Sequence, residues 1–537
     1  MIRGMIFSRS FAGCLFILTV LIMLARGPIV AEQPRPWVDR DLFPEAYSIL
    51  TSDRIMFPDD ITDWPHKIGS SRQLFVDDFL ISDIEGLTRQ FHTPVKYADN
   101  PLMPGGSVGV LHDTAHNQMR MWNGARYFTS TDGFHWDAPE LGPNGNVVLH
   151  GGGDLRGFMV NIDLPEMDYR YKAVLEHRHN PQTNDPAGFY LYHSRDGLNW
   201  ERCPDRPILQ RSHNNMFPGD FQPHSTGSER QFIWHPHAPD RFQSHGVGDT
   251  SSFRYDPILK RYIFDGKFNI YMPPEKFDEL GLVTDGKYRI RLRTFSESDD
   301  LIHWTPPRFM MFPDQYDPPD RHIYAHVGFN YESMWIGIIQ TMQVQNTGWK
   351  QMDMQLSYSR DGRHWSRPHE RQPFISLGDG DSWEADYSGT AFTAPVLKDN
   401  ELFFYYFGSR NPARDDNPGG PWPTYVGVAT LRQDGFASLN ANDSPGMLIT
   451  RPLQFTGNSL YVNAAVEEGG WIKAALMSRD SEPIAGYSLE EAHTISDDST
   501  ASRMTWKTNE VLVSPENDHH RIQFELKNAK LYAFWIE

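Results

Sequence analysis

The stretch SRDGRHWSRP, from Ser359 to Pro368, has three relatives in the same chain. STDGFHWDAP begins at Ser130, SRDGLNWERC at Ser194 and a degenerate copy, SDDLIHWTPP, at Ser298. The shared pattern is Ser-x-Asp-Gly-x-x-Trp. Its aspartate suits a tight turn, where a carboxylate accepts backbone N–H bonds two and three residues on. Its glycine supplies the positive φ such a turn needs, and its tryptophan offers a large apolar face for packing. A catalytic group has no need to occur four times, so Asp132, Asp196, Asp300 and Asp361 read as scaffold.

The motif also measures the chain. Trp136, Trp200, Trp304 and Trp365 are separated by 64, 104 and 61 residues. The long middle interval equals one unit of about 60 residues plus an insertion over about 212–253, a stretch rich in Pro, His and turn formers. Within each unit the signal is short aromatic or alternating runs bounded by Gly, Pro, Asn and Asp, the pattern of antiparallel strands. The second unit reads GFMVNIDL, RYKAVLEHR and GFYLYHSRDG; the third opens with a hairpin, SSFRYDPILKRYIFDGKF. A fifth unit, TAFTAPVLKDNELFFYYFGS followed by TYVGVATLRQDGF, lacks the tryptophan. Five small sheets in series predict an all-β chain with a five-bladed β-propeller over 72–438. From 439 to 537 the motif disappears, and alternating strands predict a C-terminal β-sandwich.

The first 31 residues carry Arg3 and Arg9 before an apolar run from Phe11 to Leu24, with Ala31 as a small residue for cleavage. That run is shorter than the roughly 20 residues of a membrane-spanning helix, so residues 1–31 read as a signal peptide. The expected location is secreted or periplasmic, with no stable membrane anchor after cleavage. Residues 32–71, rich in Pro and Asp, read as an N-terminal extension. Loss of Arg3, Arg9 and Arg26, and of no acid, moves the formal charge from −19 to −22. So acidic a chain repels phosphate backbones, which excludes nucleic acid as the expected partner. Cys203 alone remains of the two cysteines, so no intramolecular disulfide is expected.

Together with LFVDDFLI (Leu74–Ile81), FHTPVKYADNPLM (Phe91–Met103) and the closing AKLYAFWIE, this organisation resembles glycoside hydrolase families 32 and 43 and a group of secreted family-32-like bacterial proteins. The resemblance spans roughly Arg72 to Glu537. It implies a propeller whose inner strands bring carboxylates together at one end of the axis, and a carbohydrate substrate. Glycosidases of either stereochemistry use two carboxyl groups, one acting as acid and the other as base or nucleophile. The candidates are unrepeated acids near the openings of units. Asp78 in LFVDDFLI is the expected nucleophile or base. Asp249, before SSFRYDP, is expected to stabilise the transition state. Glu384 in GDGDSWEADYSG is the expected acid, with the Trp383 ring beside it. Trp383, Asp77, Asp386 and Glu332 are expected to contact substrate, and Glu332 and Glu176 are alternative acids. Family-like tripeptides in TNDPAG and RYDP read as turns. Arg126, Arg178 and Arg293 are candidates for an acidic sugar's carboxylate, with pairing between blades as the default. No cofactor motif and no complete set of metal ligands is present. Two other functions compete: a glycan-binding propeller without catalysis, and a sialidase-type enzyme, which requires six blades and an arginine triad.

Overall fold

The computed structural model describes residues 66–114, 116–149, 153–160, 169–177, 187–204, 206–210, 215–216, 250–271, 274–284, 288–305, 308–344, 350–410, 423–512 and 519–537. These are nearly all β; the α-helix among them is the short Pro274–Glu279. The expected signal peptide, most of the expected N-terminal extension and most of the expected insertion lie outside the described residues.

Sheet one is the meander Val108–Asp113, Gln118–Asn123 and Arg126–Ser130. Sheet two runs Asp154–Val160, Tyr171–His177, Gly188–Ser194 and Trp200–Arg202. Sheet three runs Ser252–Asp256, Arg261–Tyr271, Arg289–Ser298 and Arg308–Met311. Sheet four runs Arg321–Tyr331, Met334–Val344, Lys350–Ser359 and Pro373–Ile375. Sheet five contains Tyr387–Thr390, Glu401–Ser409 and Thr424–Arg432, and its outer edge is completed by Val95–Lys96 and Met103–Pro104 from far earlier in the chain.

The opening strand of sheet one packs on that of sheet two, which packs on that of sheet three, which packs on that of sheet four. A parallel pairing of Met352 with Tyr387 joins sheet four to sheet five. Glu401–Ser409 returns to Val108–Asp113, so the contacts form a closed ring. The seams are mostly apolar. Trp122 and Tyr127 meet Leu155, Phe158 and Tyr190 between sheets one and two. Phe189 and Leu191 meet Phe253, Phe264 and Leu292 between sheets two and three. Each such ring or branched chain withdrawn from water is worth roughly 1.5–3 kcal/mol. Gly157 allows the close approach of sheets two and three: a Cβ there would lie 2.6 Å from the Phe253 Cβ and 2.8 Å from its carbonyl oxygen.

The four motif copies make one hydrogen-bond pattern. Asp132 Oδ1 accepts the N–H groups of Phe134 and His135, both at 2.8 Å, and Ser130 Oγ accepts from Gly133 N–H. Asp196, Asp300 and Asp361 repeat the two backbone bonds at 2.8 Å. The indoles of Trp136, Trp200 and Trp365 donate to the carbonyls of Gly133, Gly197 and Gly362. In the degenerate copy Leu301 replaces glycine at φ 67°, and the Trp304 Nε1 has no hydrogen-bond partner among the described residues. A left-handed leucine costs roughly 1–2 kcal/mol, but Leu301 is fully buried in the seam between sheets two and three, where burial returns at least as much.

The C-terminal sheet is built on two long strands, Leu460–Met477 and Arg521–Ile536, whose pairing breaks between Val466 and Trp471 and so bends the sheet around its own apolar core. Ala437–Ala441 and Gly446–Thr450 pair with the second of these. Gln73–Leu74, Ile81–Glu85 and Thr88–Phe91, which the sequence placed with the first unit, hydrogen-bond to this sheet instead. Their alternation suits either sheet, and the partner strands lie hundreds of residues away.

Candidate active site

Register separates the two ends of the ring. In sheet four Tyr331 pairs with Met334 and Trp335 with Ser359, so the Ser-x-Asp turn lies where the opening strand ends. Sheet two behaves alike, because Tyr171 pairs with both Val160 and Ser194. Residues at the starts of opening strands therefore gather at the opposite end. There a cavity of about 580 Å³ is lined by Ser107, Asp154, Arg156, Tyr387, Phe407 and Ser409, among others. Its volume suits a sugar unit or a short oligosaccharide.

Asp154 opens sheet two, and its register partner on the next strand is Glu176. Like charges directly opposite on adjacent strands repel, and Arg156 answers both. Its Nε donates to Glu176 Oε2 at 2.7 Å, and its Nη2 donates to Asp154 Oδ2 at 3.3 Å. A bulge produces this geometry. Leu155 pairs with Leu175 and Gly157 with Val174, leaving Arg156 as the extra residue. Burial disfavours the charged guanidinium, but Glu176 and Asp154 outweigh it and hold Arg156 above the ordinary arginine value. Glu176 is buried, whereas the Asp154 side chain is 57 % exposed to the cavity end. Tyr387 stands across from them with its ring 5.7 Å from that of Phe407, and Asp386, fully buried, immediately precedes it.

The acids expected from sequence occupy four places. Asp78 pairs with Arg89 beside the C-terminal sheet, and its side chain is 80 % exposed. Asp77 is held by Arg360 Nη2 at 2.6 Å and Nε at 3.0 Å, next to the Asp361 turn. Glu332 accepts the Arg72 backbone N–H at 3.0 Å in the turn after Tyr331, also at the far end. Glu384 receives Lys96 Nζ at 2.6 Å. Strand alternation explains why Glu384 does not line the cavity: Phe407 and Ser409 face it, whereas Gly408 faces Trp383 and Glu384. Trp383 stacks on Tyr406, whose hydroxyl is pushed up by burial and by Glu384. Of the expected set, Glu176, an alternative acid, is held by Arg156 at the cavity wall, and Asp386 lies buried one residue before Tyr387, which lines the cavity. Asp249 lies outside the described residues, as does Arg178; Arg293 is buried on Asp265, with Nε donating at 2.8 Å. Arg126, exposed in sheet one, reaches Asn146 at 3.4 Å.

Asp154 and Arg156 went unseen in the sequence although GGGDLRGF carried a signal, an acid opening the second unit. Starting that strand at Gly157 hid it. The seam between sheets three and four holds another unforeseen group: Asp265 Oδ2 meets His326 Nδ1 at 2.5 Å, and His326 Nε2 meets Ser357 Oγ at 3.1 Å. The order imitates a nucleophilic triad, but all three are fully buried and Trp365 covers the imidazole. With Arg293 they form a charged seam that shuts out substrate. Among the described residues no group of three or more His, Cys, Asp or Glu side chains could hold a metal ion.

No family model matches the chain, and no curated protein matches it. Solved structures are similar to it at low identity. One is a thermostable family-43 glycoside hydrolase, at 14 % identity and a TM-score of 0.39 over 65 % of this chain and 96 % of that one. Another is an N-acetylgalactosamine deacetylase from F. plautii in complex with blood group B trisaccharide, at 14 % identity and 0.38 over 66 % and 96 %. A third is a fructofuranosidase from Schwanniomyces occidentalis complexed with fructosylnystose, at 10 % identity and 0.34 over 83 % and 96 %. The proteins to which the chain is similar thus include a family-43 glycoside hydrolase, a fructofuranosidase and an N-acetylgalactosamine deacetylase.

Proposed function

We propose that this chain is an exported glycoside hydrolase, that its ring of five sheets is a five-bladed propeller followed by a β-sandwich, and that its substrate enters the cavity at the starts of the opening strands. The observation that carries the proposal is the Asp154–Arg156–Glu176 cluster on the wall of that cavity, opposite Tyr387. Asp154 is exposed enough to touch a sugar and is held by the Arg156 guanidinium, which suits it to act as base or nucleophile. Asp249, three residues before the strand Ser252–Asp256 in the sequence, is its proposed partner, and Asp386, buried next to Tyr387, is the third proposed carboxylate. In the reaction one carboxyl group gives its proton to the departing glycosidic oxygen. Water adds to the anomeric carbon, directly or after a glycosyl–enzyme ester, and its proton returns to a carboxylate. Aromatic rings such as Tyr387 and Phe407 suit the apolar face of a sugar. Asp78, Asp77, Glu332 and Glu384, each held by a cation or backbone away from the cavity, take structural roles in this reading.

Hydrolysis of a panel of aryl glycosides and plant and algal glycans, followed by reducing-end release, tests the proposal. Wild type is expected to cleave at least one substrate class, and Asp154→Asn to lose roughly 100-fold or more of that rate. Full activity in Asp154→Asn would sink the assignment. Binding of a glycan without release would favour the non-catalytic propeller.

A further inference from the structure

If the cavity is the hydrolytic site, one more role follows from its wall. We infer that Arg156 is a positioning residue, aiming the Asp154 carboxylate at the bound sugar and bridging Asp154 and Glu176 side by side. Three observations bear on it. Arg156 is the bulged residue of its strand, so its direction is set by the bulge and not by ladder pairing. Its fork is divided, Nε to Glu176 and Nη2 to Asp154, which a lysine cannot reproduce because an ammonium has no fixed fork. Its guanidinium carbon lies 5.8 Å from the centre of the Phe392 ring, which limits how far the group can swing. The titratable and charged groups facing it are Asp154 on its own strand, Glu176 on the next strand and Tyr387 from sheet five; His177 lies behind the pair, against Gly153.

Without the guanidinium, two carboxylates face each other across one rung with no cation between them, and their repulsion favours protonation of one of them. A lysine restores the positive charge without restoring the aim. A mere strut behaves differently: either replacement lowers thermal stability and leaves the carboxyl titrations where they were.

The test compares wild type, Arg156→Lys and Arg156→Met in the full chain, by pH-dependent hydrolysis of a substrate that wild type cleaves and by ¹³C NMR titration of the Asp and Glu carboxyl carbons. In Arg156→Met, kcat is expected to fall roughly 100-fold with KM held within about threefold, and one carboxyl is expected to titrate at higher pH. Arg156→Lys is expected to regain the wild-type titration but less than about a tenth of the rate. A folded Arg156→Met with wild-type carboxyl titrations and pH profile overturns the inference. Should wild type cleave nothing in the panel, the hydrolytic reading fails, and the titration, which needs no substrate, still decides whether Arg156 bridges the pair. Should the methionine variant fail to melt cooperatively, Arg156→Gln carries the same two measurements.

Discussion

The two ends of the ring hold acids of opposite design. At one end Asp132, Asp196, Asp300 and Asp361 each spend their carboxylate on neighbours within three residues, through the same backbone bonds at 2.8 Å. At the other end Asp154 and Glu176 repeat nowhere, and their shared partner is a guanidinium displaced by a bulge. A carboxylate bonded to its own turn on both oxygens is held in place by that turn. An acid balanced by one cation and open to a cavity can still meet a ligand. Repetition therefore marks scaffold, but singularity alone does not mark a site: Asp77, Asp78, Glu332 and Glu384 are unrepeated and are held on structural partners away from the cavity.

Four measurements press on this contrast, beginning with the largest effect. Asp154→Asn should lower hydrolysis by roughly 100-fold or more with little change in melting temperature, whereas Asp361→Ala should leave the rate within about twofold. Comparable rate losses in both would erase the distinction between the ends. Lys96→Met strands the buried Glu384 carboxylate, and denaturant titration should show a loss of about 3 kcal/mol; a loss below about 1 kcal/mol would mean that Glu384 finds another partner. Asp361→Ala removes the acceptor of two backbone N–H groups and the Ser359 hydroxyl, for a loss of about 2 kcal/mol by the same assay.

The smallest effect is on acid stability. Burial raises the four turn aspartates, but hydrogen bonds from the following N–H groups and side chains outweigh it, so all four lie below the ordinary carboxylate value, Asp300 at about 2. Because the folded values are the depressed ones, this stabilisation is complete above about pH 4 and is lost as pH falls through the folded values. Melting temperature should be insensitive to these groups from pH 7 to about 4 and should drop between about 4 and 2; Asp300→Asn should flatten part of that drop. His135 adds the reverse trend. Its bond to Asp132 raises its value, so its contribution is present at low pH and is lost as pH rises through the folded histidine value.

Strands and turns were legible because their causes are local. Asp361 needs only Arg363 and His364 to make its turn, and the Tyr171–His177 strand announces itself by aromatic and β-branched composition. Glu384 was not legible in the same way. Read with its tryptophan it resembled an acid in an apolar pocket, but its partner, Lys96, lies 288 residues away. Asp77 and Arg360, 283 residues apart, illustrate the same limit. Asp154 fell between these cases: visible as an acid opening a unit, but assignable to the cavity only once its strand start and the Arg156 bulge were known.

The amino-acid sequence by itself determined the all-β character, the repeated turn and the order of the sheets, because hydrogen bonds within three residues and alternation within seven encode them. Tertiary structure alone decided which acids face the cavity, that residues 73–91 join the C-terminal sheet, and that 95–104 completes sheet five. Those outcomes depend on register and on partners hundreds of residues distant, and a one-residue shift in either turns a side chain to the opposite face.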